Sequence, residues 1–134
     1  MGLTSEQAQA VIEAAQARAR ALGVPVVISV LDGGCHLKAL QRMDGAPLGS
    51  IDVAQGKART AALFGCNSED VWEFCKPGAP APGLARSNGG LMTFGGGMSL
   101  KSGDGGVIGA VGVSGGAVSQ DLDIVRAGAA AFRA

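Results

Sequence analysis

Glycine is concentrated in the second half of this 134-residue chain, and that concentration limits the folds open to it. Residues 83–116 hold thirteen of the 23 glycines, whereas glycine averages about 7% of residues in proteins. The glycines do not recur at every third position, which excludes a collagen triple helix. Apolar residues fall between them at strand-like intervals. The pattern therefore predicts short strands whose backbone is closely approached by something else.

The charges are few and balanced. Eleven basic and eleven acidic side chains give a net charge of zero, and charged residues make up 16% of the chain. Without a basic excess, a general nucleic-acid binder is not expected. A surface with so few charges favours self-association, so a homo-oligomer is expected.

The chain carries no visible signal for export or membrane insertion. It has no apolar run of about 18 residues, and its first residues lack the basic and apolar parts of a signal peptide. Its three cysteines, Cys35, Cys66 and Cys75, are unequally spaced and odd in number, which is typical of reduced thiols rather than of a disulfide framework. A cytoplasmic protein without membrane association is expected.

The first 43 residues predict a helix followed by a hairpin. Residues 4–22 have apolar side chains at helical spacing. Residues 26–31 form a β-branched run typical of a buried strand, and residues 36–43 alternate as a second strand after a glycine turn. Strict alternation places His36 and Met43 on opposite faces of that strand, so a His36–Met43 ligand pair within one chain is not expected.

The rest of the chain predicts two helices, three strands and a last helix. The helices cover residues 48–64, 69–74 and 118–132, a proline-rich loop covers 75–90, and the strands fall within 91–94, 98–100 and 107–113. The order is therefore α-β-β-α-α-β-β-β-α. This is an α+β fold, a single domain over residues 1–134 with helices packed on about five antiparallel strands.

Several motifs together resemble the GlcG/HbpS family, which includes the C-terminal domain of PduO-type proteins. They run in order along nearly the whole chain, and their combination is specific although each alone is weak. The matching segments are residues 24–37, 42–47, 57–61, 87–90, 94–97 and 108–116. Ala117-Val118 departs from the Thr-Pro pair expected at the start of the last helix.

The resemblance implies a profilin-like fold around a five-stranded antiparallel sheet. It also implies homo-oligomers in many members, and binding of haem or a corrinoid in some. Haem is the one cofactor it suggests for this chain. Other members belong to catabolic pathways without a settled activity, so the family does not fix a reaction.

His36 is the only histidine and the residue with the most chemical options. Imidazole titrates near neutral pH and binds metals, so His36 is a candidate iron ligand and a candidate acid–base catalyst. It equally suits a strand histidine that is hydrogen-bonded to backbone. Asp32, at the end of the first strand, either closes the turn, orients His36 or acts as a base.

Three cations, Arg42, Lys57 and Arg59, suit a carboxylate such as a haem propionate or a small organic acid. Arg59 is the best suited to a bidentate contact with a carboxylate. The alternative for these cations is that they form ordinary surface ion pairs with Asp44 and Asp52. Glycine-rich segments offer backbone amides either for turns or for an anion, above all next to the last helix. The predicted ligand-binding residues are Arg42, Met43, Lys57, Asn88, Gly89, Gly90, Phe94, Ser114 and Gly115.

Two functions remain open, and the first is favoured. One is a protein that binds haem or a related tetrapyrrole in a cleft of the glycine-rich strands, with His36 as metal ligand. The other is a cofactor-independent lyase, hydrolase or isomerase acting on a small acidic metabolite, with His36, Asp32 and Arg59 as catalytic residues. Outside these sites, Asp70 and Glu73 suit a solvated helix face, and Trp72 suits an interface anchor.

Overall fold

The computed structural model describes residues 2–133 and shows an α+β architecture. The helices are α1 (Ser5–Leu22), α2 (Ser50–Phe64), α3 (Ser68–Cys75) and α4 (Val118–Ala130). The strands are β1 (Val27–Asp32), β2 (Leu37–Arg42), β3 (Gly97–Lys101) and β4 (Val107–Ser114). A 3₁₀ segment, Pro82–Gly89, lies within the expected proline-rich loop. Within residues 2–133, no helix is long and apolar enough to cross a membrane.

The sheet has four strands in the order β2-β1-β4-β3, and every neighbouring pair is antiparallel. The prediction of about five strands was wrong because residues 91–94 are not a strand. The amide of Leu91 donates to the carbonyl of Ala85, and the amide of Met92 donates to the hydroxyl of Thr60. These amides therefore bond to a loop and a helix side chain instead of a neighbouring strand.

Helices cover both faces of the sheet. On one face, α1 and α4 pack together over a cluster of buried aliphatic side chains that includes Ile12, Val30 and Ile124. On the other face, α2 packs on β1 and β4 through small side chains such as Ala54 and Ala58. The central strands are therefore buried on both sides, as the β-branched run in β1 predicts.

The glycines of β3 and β4 let α2 lie directly on the backbone of the sheet. A Cβ atom at Gly112 would lie 1.9 Å from the carbonyl oxygen of Ala54, and one at Gly97 would lie 2.3 Å from that of Lys57. Nothing larger than hydrogen fits at such distances. The close approach expected from the sequence is thus made here by a helix of the protein itself.

Local signals fix the ends of these elements. The Thr4 hydroxyl accepts the amide of Gln7 at 3.0 Å, and Gln7 Oε1 accepts the amide of Thr4 at 2.9 Å, so α1 begins with a capping box. α1 ends at Gly23, whose φ is 69°. Between β3 and β4, the amide of Gly105 donates to Ser102 in the expected turn.

Candidate functional site

The tip of the β1–β2 hairpin is organised around the carboxylate of Asp32. Its Oδ1 accepts the backbone amides of Gly34 and His36, each at 2.9 Å. Cys35 adopts a φ of 66°, which turns the chain sharply between the two strands. The turn that the sequence assigned to this aspartate is present, and the same carboxylate also reaches the imidazole.

The imidazole of His36 stands in solvent, with 80% of its side chain exposed. Its Nδ1 lies 3.2 Å from Oδ1 and 3.3 Å from Oδ2 of Asp32. When Nδ1 carries the proton and donates a hydrogen bond to Asp32, Nε2 keeps its lone pair and has no hydrogen-bond partner within residues 2–133. The backbone amide of His36, joined by that of Gly34 and by the imidazole, holds the pKa of Asp32 below its usual range.

A cavity of about 330 Å³ lies beside this turn, on the face of the sheet covered by α2. The hairpin, α2 and the segment following the 3₁₀ helix each form one wall. Its lining residues are Leu31, Cys35, Leu37, Asp52, Gln55, Gly56, Arg59, Gly89, Gly90, Leu91 and Met92. The cavity therefore combines apolar surface with a row of polar groups along one side of α2.

The wall formed by Gly89–Met92 is fixed to α2 by hydrogen bonds. The Thr60 hydroxyl donates to the carbonyl of Gly56 at 2.8 Å and accepts the amide of Met92 at 3.0 Å. A Cβ atom at Gly56 would lie 2.6 Å from Met92 Cγ, so this glycine makes room for the methionine. Buried polar groups with partners of this kind hold a loop in one position.

Arg59 forms the second link between α2 and this wall. Its Nη1 donates to the carbonyl of Asn88 at 2.5 Å, and the residue also lines the cavity. Gly89 and Gly90 have φ values of 77° and 105°, and within residues 2–133 no atom beyond the adjacent residues lies within 4 Å of a Cβ position at either glycine. Arg59, Asn88, Gly89 and Gly90 are thus brought together by the fold.

His36 and the cavity lie on opposite faces of the hairpin. Leu31 and Leu37 are partners in the β1–β2 register and both line the cavity. Asp32 follows Leu31, so alternation points it to the other face, and its contact with His36 places the imidazole there too. Within one chain, the imidazole and Arg59 approach the hairpin tip from different sides.

The expected alternation in β2 is interrupted by an irregularity. The register shifts between Val30 and Leu31, where Leu31 pairs with Leu37 and Val30 pairs with Ala39. This shift places Met43 on the same face as His36, among the side chains of the α1 and α4 core, so its assignment to the opposite face was wrong. The two residues are still separated by the length of β2, about 20 Å at about 3.3 Å per residue.

Lys57 is buried, with 1% of its side chain exposed. Its ammonium donates to the carbonyl of Val113 at 2.9 Å and to Asp121 at 3.0 Å, and it lies 4.8 Å from the centroid of the Phe94 ring. Burial lowers the pKa of Lys57, and the charge of Asp121 opposes that shift. This lysine forms an internal ion pair, not the surface pair with Asp44 or Asp52 considered from the sequence.

The amides next to α4 are occupied by the same aspartate. Asp121 Oδ1 accepts the amide of Gly116 at 2.9 Å, while its Oδ2 accepts Lys57. Ser114 is buried at 7% exposure, and a Cβ at Gly115 would lie 2.8 Å from the carbonyl of Pro25. A carboxylate of the protein therefore fills the anion position that the sequence assigned to a ligand.

Arg42 and Met43 lie at the far end of β2 from the hairpin tip. They line a polar cavity of about 220 Å³, together with Gln16, Arg20, Gln41 and Asp44. This cavity shares no lining residue with the one that contains Arg59. The fold thus separates Arg42 from the other exposed cation predicted to contact a ligand.

Sequence and structure comparisons agree on a family. The family model described as haem degrading protein HbpS-like matches residues 3–130. The chain belongs to the HbpS-like family.

Three relatives illustrate the range of this HbpS-like family. The protein GlcG of Escherichia coli is 40% identical over 113 residues, which cover 84% of this chain and 81% of GlcG. A crystal structure of a PduOC–heme complex is 37% identical, with a TM-score of 0.91 over 98% of this chain and 95% of that one. A double mutant of HbpS from Streptomyces reticuli is 30% identical, with a TM-score of 0.89 over 100% of this chain and 89% of that one.

Sequence reasoning missed several residues that line or support the cavity of this HbpS-like chain. Thr60 and Met92 have no individual sequence signal, because their roles depend on a contact between α2 and a distant loop. Asp52 and Gln55 do carry one: with Arg59, which the sequence did single out, their spacing of three and four residues places them on one side of a helix. The Asp52–Arg59 spacing favoured an ion pair in the sequence, whereas both side chains line the cavity.

Proposed function

We propose that this chain binds haem or a related tetrapyrrole at the tip of the β1–β2 hairpin, with His36 as the iron contact. The observation that carries the proposal is the exposed imidazole whose Nδ1 is held by Asp32 and whose Nε2 is free. Histidines that bind metals usually donate their second ring nitrogen to a carboxylate or carbonyl in this way. The structural relative solved with heme adds independent support.

The residues near the tip fit the remaining parts of a tetrapyrrole. Leu37, 55% exposed, offers apolar contact for the macrocycle edge. Arg59 and the open amides of Gly89 and Gly90 lie on the opposite face of the hairpin from His36, so they meet a propionate carboxylate only if the macrocycle extends past the hairpin tip to the cavity side. When bound, haem supplies the porphyrin nitrogens and the redox chemistry of iron, while the chain supplies the imidazole, its orientation and the anion contacts.

Titration of the purified apoprotein with haem tests this proposal. The wild type should shift the Soret band in a saturable manner, and His36→Ala should lose that shift or weaken binding at least tenfold. Lys38→Ala, an exposed cation two residues away, serves as the matched control and should bind like the wild type. If His36→Ala binds haem with an unchanged spectrum, His36 is not the iron contact. If the wild type also shows no shift, tetrapyrrole binding itself is refuted.

A second candidate function is binding of a small acidic metabolite in the 330 Å³ cavity, and Arg59 is the observation that favours it. The guanidinium matches a carboxylate, and Asp52 and Gln55 offer hydrogen bonds to a hydroxyl or amino group. Asp32 is a poor candidate base for such a ligand, because its pKa is lowered and it faces away from the cavity. Calorimetric titration with small hydroxy acids should show binding that Arg59→Gln weakens at least tenfold; equal affinity would refute this alternative.

We also propose that the protein forms homo-oligomers. Large apolar side chains are exposed at several places, among them Leu48 at 70% and Phe74 at 58%. Burying such side chains in an interface between copies removes apolar surface from water. Light scattering after size exclusion should give a mass of at least twice the 13.2 kDa of one chain. A monomer at micromolar concentration would contradict this proposal.

A further inference from the structure

A second large cavity lies beside α3 and shares no lining residue with the cavity that contains Arg59. Its volume is about 560 Å³, within the range of small-molecule sites. One side is α3 and the other is the segment that precedes β3. The lining residues are Glu69, Asp70, Trp72, Glu73, Thr93, Phe94 and Gly95. Neither the hairpin tip nor the proposed tetrapyrrole contacts use these side chains.

Among the three carboxylates that line this cavity, Glu69 is the one that lacks a partner. Asp70 accepts the amide of Asn67 at 3.0 Å, and Glu73 forms an exposed pair with Lys76 at 2.8 Å. Glu69 Oε1 is buried and accepts no hydrogen bond from any residue within 2–133. Because a buried acceptor without a donor is costly, the charge of Glu69 is poorly compensated at Oε1, and a cation in the cavity would stabilise the carboxylate through its other oxygen.

The apolar lining of the cavity is aromatic. Trp72 is 44% exposed and Phe94 is 41% exposed, and the faces of such rings attract cations. Phe94 already shows this property, since the ammonium of Lys57 lies 4.8 Å from its centroid. The ammonium of Lys57 donates to Val113 and Asp121, and within residues 2–133 no hydrogen bond joins it to a lining carboxylate. The charge of Glu69 nevertheless acts on it and, against the larger effect of burial, raises its pKa.

We propose that this cavity binds a small organic cation, an ammonium group carried on an apolar stem. Glu69 is the charged acceptor, and Trp72 and Phe94 form the apolar walls. An anion would be repelled by the lining carboxylates, and a neutral molecule of the same shape would lack the charge-assisted hydrogen bond. A hydrated metal ion would leave the aromatic surface unused. The site stands on contacts separate from those of the proposed function.

Fluorescence of Trp72 provides a specific assay, because it is the only tryptophan in the chain. The full-length apoprotein is titrated with benzylammonium, benzyl alcohol and benzoate, which share an aromatic stem but differ in charge. Benzylammonium should change the fluorescence saturably and bind at least tenfold more tightly than benzyl alcohol, and benzoate should produce no saturable change. Equal affinities for the three molecules, or no saturable change with benzylammonium, would overturn the proposal.

Substitutions then test whether the carboxylate of Glu69 contributes to benzylammonium binding. Glu69→Gln should weaken benzylammonium binding at least tenfold, while Glu13→Gln, an exposed acid on α1, should leave it unchanged. Unchanged affinity in Glu69→Gln would overturn the role of this carboxylate. Should circular dichroism show that Glu69→Gln does not fold, the comparison of the three molecules on the wild type still decides. His36→Ala should keep its benzylammonium affinity, so failure of haem binding and failure of this site are distinguishable.

Discussion

Replacing Gly112 with alanine tests how tightly α2 rests on β4. The new Cβ would lie 1.9 Å from the carbonyl oxygen of Ala54 and 2.8 Å from the amide nitrogen of Ala58, whereas ordinary contact begins at 3.4 Å. Both neighbours are helix backbone, so no side-chain rotation relieves the clash. The helix must therefore move away from the sheet by about 1.5 Å, the difference between ordinary contact and the shorter distance.

The expected cost follows from this movement. Overpacking of a core costs about 1–3 kcal/mol, and a clash with backbone belongs at the upper end of that range. Alanine recovers about 0.5–1 kcal/mol relative to glycine, because glycine loses more conformational freedom when a strand forms. Gly112→Ala should therefore lower the free energy of unfolding by about 2 kcal/mol.

Urea unfolding followed by circular dichroism measures this change. The midpoint should fall while the slope m stays constant, since the area exposed on unfolding is nearly the same. Gly103→Ala is the matched control, because no atom lies within 4 Å of its Cβ position and its φ is not left-handed; it should stay within about 0.5 kcal/mol of the wild type. If Gly112→Ala were as stable as Gly103→Ala, α2 would not rest on the backbone of β4 as described.

Three further substitutions test the polar contacts of the fold. Asp121→Asn leaves the buried charge of Lys57 uncompensated and should cost about 3–5 kcal/mol in urea unfolding; a loss below about 1 kcal/mol would contradict the ion pair. Thr60→Val removes the acceptor of the Met92 amide and should cost about 1–3 kcal/mol, with faster hydrogen exchange at that amide; unchanged exchange would argue against the contact. The pKa of Asp32 is lowered from its ordinary 3.8 in the fold, so its carboxylate stabilises the protein above that value and this contribution is lost as pH falls through the folded pKa. The difference in urea midpoint between wild type and Asp32→Asn should narrow as pH falls below about 4, and a difference that does not narrow there would refute this origin.

Periodic and capped elements could be predicted from the sequence because their signals are local. The helical spacing after Thr4 and the β-branched run before Asp32 produce α1 and β1 within two residues of their expected ends. Residues 91–94 carry apolar side chains that suit a strand equally well. Whether the amide of Met92 bonds to a neighbouring strand or to Thr60 depends on where α2 packs, which no local pattern contains.

The candidate residues could be proposed from the sequence, but the faces of the hairpin on which they lie could not. A register shift opposite Val30 changes which faces the residues of β2 occupy. Shifting a strand by one residue exchanges its faces. Lys57 is a different case, because it belongs to a helix whose neighbouring alanines are buried. Because those alanines form the buried face of α2, the sequence around Lys57 could have indicated that its side chain points inward. A buried ammonium then needs a partner such as Asp121.

A glycine inside a strand indicates a close contact but does not identify the group that makes it. Glycine inside a strand indicates that something approaches the backbone closely, and at Gly112 the structure bears this out. The rule does not say whether the approaching group is a ligand or another part of the chain, and at Gly112 it is α2. Gly89 and Gly90 differ, since their Cβ positions are open and they line a cavity. A ligand therefore has room beside Gly89 and Gly90, whereas Gly112 of β4 is already in contact with α2.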